Sequence, residues 1–131
     1  MAYAAEYQDS SGIIPTFQSV KIGQGSSPVA RTVTQASSIT TGVTLNRASG
    51  TITTVASTLA AAAEATFTVT NSHVETTDVV VVSTTYAGAG TPVVYVQKVA
   101  AGSFDITISN LHASAALDAA LVINFIILKA S

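Results

Sequence analysis

Residues 78–99 read DVVVVSTTYAGAGTPVVYVQKV, and the two valine-rich runs in this stretch decide how the rest of the chain is read. A half-exposed strand alternates apolar and polar residues, because successive side chains point to opposite faces. Val79 to Val82 does not alternate, nor does most of Pro92 to Val96, so both runs offer apolar side chains on two faces. Each reads as a strand rich in β-branched residues whose second face needs a cover. Between them YAGAG, Tyr86 to Gly90, lacks the lysine and the following helix of a phosphate-binding loop. It reads as a flexible connection between two strands.

Strand patterns recur on either side of this stretch, separated by Gly, Asn, Asp or Ser. In EATFTVTN, residues 64–71, Ala65, Phe67 and Val69 share one face while Glu64, Thr66, Thr68 and Thr70 share the other. In GSFDITISN, residues 102–110, Phe104, Ile106 and Ile108 point inward and Ser103, Asp105, Thr107 and Ser109 outward. ALVINFIILK, residues 120–129, puts Leu121, Ile123, Phe125 and Ile127 on one face and Val122, Ile126 and Leu128 on the other, so it too asks for burial on both sides. GVTLN and GTITT flank Arg47-Ala48-Ser49, a connection short enough for a hairpin or a corner.

Helix competes for two alanine-rich stretches, Ser57–Ala65 and His112–Leu121. Both sit near or below the ~12 residues at which an isolated helix becomes marginal, and each runs directly into a strand. The rhythm is all-β whichever way they fold. Residues 1–35 differ: glycine and proline are frequent, and Tyr3, Tyr7, Ile13, Ile14 and Phe17 are spaced irregularly among polar residues. This is an extended arm, with short strands expected near Thr16–Ile22 and Val29–Gln35. Residues 36–131 form the β domain, and at 131 residues the chain is one domain with one core.

Composition excludes several functions. Charged residues make up 9% of the chain, against roughly 25% in an ordinary soluble domain, and Ser and Thr fill most of the gap. With net charge −2 and basic residues scattered as Lys21, Arg31, Arg47, Lys98 and Lys129, there is no patch to neutralise phosphates, so nucleic acid is not an expected partner. Absence of cysteine rules out disulfides and thiolate metal sites. The N-terminus lacks a basic segment followed by an apolar run, so no signal peptide is expected. Ala115–Leu128 falls short of the ~20 apolar residues of a spanning helix and contains Asp118 and Asn124, so a membrane is not expected either. It reads as a buried strand and its lead-in.

Candidate chemistry is sparse. His73, Glu75 and Asp78 could gather around a metal ion, but they sit in a segment that reads as a solvated turn. His112 reads as a loop residue or a polar group at a subunit contact. No G-x-S-x-G elbow is present, and two histidines leave few choices for a base. Neither catalysis nor a cofactor is expected.

The order VTQASSITTGVTLNRASGTITT, AEATFTVTNS, TDVVVVS, VAAGSFDITISN, LVINFIILKA, spanning Val33 to Ala130, resembles structural proteins of tailed bacteriophages, both small virion proteins and modules of fibres. The resemblance implies a β-sandwich, jelly-roll or immunoglobulin-like, in a homo-oligomer, most simply a trimer. The resemblance does not imply a position on the virion; the reading adopted is a decoration or cement protein on the capsid surface that contacts the major capsid protein. The alternative is a tail-fibre or receptor-binding module that takes glycan, and a free bacterial binding domain is the remaining class. On the cement reading, the strands that are apolar on both faces pack once on their own core and once on a neighbouring subunit, which makes Val80, Val82, Val122, Ile126 and Leu128 the expected contacts. Tyr3, Tyr7, Ile13, Ile14 and Phe17 would anchor the arm. Coverage by the arm or the alanine-rich loops of the same chain is the competing explanation.

Overall fold

The computed structural model describes residues 31–130. Among them there is no helix, and eight strands form two four-stranded sheets packed face to face, a β-sandwich. The strands are β1 (Thr32–Thr34), β2 (Val43–Thr44), β3 (Ser49–Thr53), β4 (Glu64–Thr70), β5 (Val79–Thr85), β6 (Pro92–Ala100), β7 (Ser103–Asn110) and β8 (Val122–Leu128). The first sheet runs β1-β3-β8-β5 and the second β2-β4-β7-β6. Each has one parallel pair at an edge, β1 on β3 and β2 on β4, and is otherwise antiparallel.

The alternating strands fold in the phase their side chains dictate. Along β4 every second residue is buried, with Ala65, Phe67 and Val69 inward. Phe104, Ile106 and Ile108 on β7 and Ile123, Phe125 and Ile127 on β8 join them, and Phe104 meets Phe125 across the sandwich with ring centroids 5.3 Å apart and planes tilted by 59°. Tilted pairs at this spacing are favourable for aromatic rings. Each large apolar side chain so buried contributes roughly 1.5–3 kcal/mol. Thr107 and Ser109 point outward as expected but are buried nonetheless, because β7 is an inner strand whose short polar side chains are shielded by β4 and β6.

Connections follow less obvious rules. Arg47-Ala48 turns a corner between sheets, leaving β2 in the second and β3 in the first; Asn71 Nδ2 holds this corner by donating to Arg47 O at 2.7 Å. The true two-residue hairpin joins β6 to β7 through Ala101 and Gly102, whose φ of 85° suits glycine. The alanine-rich stretches are not helical. They lie side by side, Leu59 bridging Leu117 in an antiparallel contact, and both leucines enter the core.

Asn110 ties that end of the sandwich together. It is fully buried; its Nδ2 donates to Leu59 O, Ala60 O and Ala115 O, and its Oδ1 accepts Thr91 N and His112 N. The short strand expected near Val29–Gln35 is β1, so residues 32–34, assigned to the arm, pair with β3 in the first sheet. Gln35 follows, buried, donating to Ile39 O and Thr41 O. The strand expected at Thr16–Ile22 and the contacts at Tyr3, Tyr7, Ile13, Ile14 and Phe17 lie outside the described residues.

Candidate functional site

Register fixes what each sheet shows to the outside. In an antiparallel pair, residues directly opposite point to the same face. Val80 pairs with Ile127 and Val82 with Phe125, and because Ile127 and Phe125 are core residues, Val80 and Val82 pack against the core. Their expected outward position is therefore corrected. The outward residues of β5 are Val79 and Val81, 50% and 47% exposed. Val122, Ile126 and Leu128 do point outward, the first two half-buried and Leu128 exposed.

The outer face of the first sheet is thus a grid of rows running across the strands. Val79 stands beside Leu128; Val81 beside Ile126 and Ser49; Ser83 beside Asn124, Thr51 and Thr32; Thr85 beside Val122, Thr53 and Thr34. An apolar corner of Val79, Val81, Ile126 and Leu128 gives way to a field of hydroxyls and one amide, where Thr51 Oγ1 donates to Asn124 Oδ1 at 2.7 Å. None of β1, β3, β5 and β8 contains Asp, Glu, Lys or Arg; the charges that border the face lie just outside the strands, Arg31 beside Ser49, Thr51 and Asn124 and Lys129 directly after Leu128.

The second sheet is built differently. Its outer face carries Glu64, Asp105 and Lys98, with Thr68 Oγ1 donating to Asp105 Oδ1 at 2.7 Å and Lys98 paired opposite Asp105. Val93 and Tyr95 project outward on β6, while Val94 and Val96 pack on the core. Pro92 to Val96 therefore has two apolar faces, as its sequence implied. Tyr95 is the exposed aromatic among the described residues; Phe67, Phe104 and Phe125 are buried, and Tyr86 is hydrogen-bonded within the chain.

The polar candidates prove to hold loops in place. Asp78, its side chain 1% exposed, accepts Glu75 N at 2.8 Å and Lys129 Nζ at 2.8 Å, and the same ammonium donates to His73 O at 2.6 Å. The hydrogen bond from Lys129, reinforced by the Glu75 N–H, holds the Asp78 carboxyl below its ordinary range against the opposing effect of burial. His73 and Glu75 are exposed, and no group of three or more metal-ligating side chains gathers among the described residues. His112 Nδ1 accepts Ser114 N and Ala115 N, at 3.1 and 2.8 Å, which places the neutral ring's proton on Nε2. YAGAG is clasped where a flexible loop was expected: Tyr86 Oη donates to Ala89 O and accepts Asp118 N, and Asp118 Oδ1 accepts Ala89 N.

Val79 and Val81 were not distinguishable within a four-valine run, because every position fits either face. A signal lay just beyond: Ser83 and Thr85 share their phase, whereas half-buried Tyr86 shares the phase of Val80 and Val82. No protein-family model matches this chain, and no curated protein or solved structure matches it. No helix of the described residues is long and apolar enough to cross a membrane.

Proposed function

We propose that this chain is a virion structural protein of a tailed phage, a decoration or cement protein that self-associates and seats on the major capsid protein through the outer face of its first sheet. One observation carries the reading: the first sheet has no charged residue in any strand, while the second carries Glu64, Lys98 and Asp105. A surface kept in water needs charge against association. A covered surface does not, and every charge placed there would have to be desolvated. The apolar corner of Val79, Val81, Ile126 and Leu128 is the natural centre of such a contact, with hydroxyls around it as a polar rim. The ordered resemblance of Val33–Ala130 to phage structural proteins supports a virion particle and a trimer but not a position on it; on the head, the arm, through Tyr3, Tyr7, Ile13, Ile14 and Phe17, would bridge neighbouring capsid subunits. The action is mechanical, with no catalytic step or cofactor.

Exposed Tyr95, beside Gln97 and Lys98, favours a second reading, a fibre or receptor-binding module that stacks a sugar on the ring. Capsid co-sedimentation separates the two. Ile126→Asp should lower retention on capsids and capsid resistance to heat, as should deletion of residues 2–28, while Tyr95→Ala on the other sheet should leave both unchanged. Equal retention of Ile126→Asp and wild type would overturn the face assignment, and glycan binding lost in Tyr95→Ala would establish the second reading.

A further inference from the structure

A sandwich has four edge strands, and exposed edges template unwanted pairing unless they are short, bulged, charged or interrupted by proline. Three edges here are blunted. β1 has three residues and β2 two; β6 begins at Pro92, shifts register between Val96 and Lys98, and carries Lys98 itself. β5 has none of these devices. Its seven residues, VVVVSTT, hold one unbroken register with β8 and include no charge, proline or bulge. In an antiparallel pair, N–H and C=O groups alternate between facing the partner strand and facing away; among the described residues no strand hydrogen-bonds the second side of β5, which leaves there a ladder flanked by β-branched side chains suited to a pleated surface.

We propose that β5 is a strand-addition site filled by β5 of a second copy, antiparallel about a two-fold axis at Val81, so that two four-stranded sheets become one of eight strands. The sequence of the edge selects this occupant. An uncharged strand meets its own copy without like charges, and centring on Val81 sets Val81 against Val81 on the outer face and Val80 against Val82 on the inner face, twice. A centre on Val82 gives one valine pair, and a centre on Val80 gives the same three but sets Val82 opposite Asp78. The row Ile126–Val81 of one copy then continues into Val81–Ile126 of the other, extending the apolar corner across the junction. The contact uses only the edge, so it is compatible with a three-fold contact made elsewhere, and it does not depend on the capsid reading. A seven-residue edge lies at the small end of specific interfaces, below about 1,200 Å² in total, so the association is weak and depends on protein concentration.

The chain has no cysteine, which makes a single introduced thiol a clean reporter. Facing side chains on paired strands bring Cβ atoms to about 4.5–5.5 Å, close enough for Val81→Cys in the full chain to give a disulfide-linked dimer under mild oxidant; Thr51→Cys, on the same face two strands away, should not. Val81 is exposed, so Val81→Lys should fold normally by circular dichroism while halving the native mass in light scattering, from dimer to monomer or from hexamer to trimer; Val81→Thr should keep it. A native mass indifferent to Val81→Lys, or Val81→Cys cross-linking no faster than Thr51→Cys, overturns the proposal. A trimer unaffected by Val81→Lys overturns it while leaving the three-fold reading intact.

Discussion

Asn110→Ala isolates the polar hub that closes one end of the sandwich. Its amide serves five backbone groups, yet the loss is smaller than five bonds. Leu59 O still accepts Leu117 N, and Ala60 O still accepts Ala63 N. Ala115 O, Thr91 N and His112 N lose the Asn110 partner. At about 1 kcal/mol for each broken bond the cost is about 3 kcal/mol, with more wherever a group is left dry and unpaired; the exposed position of Thr91 lets water recover part of its share. Against a total stability of about 5–15 kcal/mol the loss is substantial, and at roughly 4–8 °C per kcal/mol the melting temperature should fall by about 12–24 °C. Asn110→Asp should be at least as harmful, since a carboxylate would face three carbonyl oxygens. Thermal unfolding followed by circular dichroism measures both. A shift under about 4 °C for Asn110→Ala would refute the reasoning, because it would mean that water replaces the amide at every partner.

Phe125→Ala, in the core against Phe104, should destabilise the fold by about 3–5 kcal/mol, whereas its neighbour Ile126→Asp should leave the unfolding midpoint of the isolated subunit nearly unchanged; denaturant titration of both would expose an error in the face assignment if they unfold alike. Asp78 has a lowered folded-state pKa, so its pairing stabilises the chain above the unfolded carboxyl value of about 3.9 and that contribution disappears as pH falls through the folded value. Lys129→Met should therefore move the Asp78 carboxyl titration, followed by NMR, to higher pH, and an unmoved titration would show that the Glu75 N–H carries the shift alone. Gly90→Ala should cost more than Gly102→Ala in thermal melts: both glycines have positive φ, but a Cβ at Gly90 would lie 2.6 Å from Leu117 Cδ2, while at Gly102 it meets nothing within 4 Å.

Much of the sandwich was legible because β4 and β7 carry their own phase. Phe67 and Phe104 sit among alternating neighbours, and the opposite phase would leave them in water, whereas in β8 both faces are apolar and Phe125 was placed only by pairing. The edge strands were not legible in the same way. β1 and β2 pair in parallel with strands well along the chain, and two or three residues of Val and Thr hold too little pattern to announce a partner. Local periodicity also says nothing about hydrogen bonds between distant residues, so the clasp of Tyr86 by Asp118 and the hub at Asn110 were invisible, and a glycine-rich loop passed as flexible. At the candidate interface the sequence showed that β5 had two apolar faces, and only pairing with β8 established that Val79 and Val81, not Val80 and Val82, look outward. The absence of charge from one whole sheet was present in the composition all along, but it acquires meaning only once the four strands are known to be neighbours.

Electron cryo-microscopy of intact particles that incorporate the chain tests the central proposal most directly. The account predicts sandwich density on the outer surface of the capsid, with Val79, Val81, Ile126 and Leu128 covered by protein and the Glu64, Lys98 and Asp105 face turned to solvent. Density confined to a tail or fibre, or a capsid-bound subunit with the uncharged sheet facing water, would contradict it.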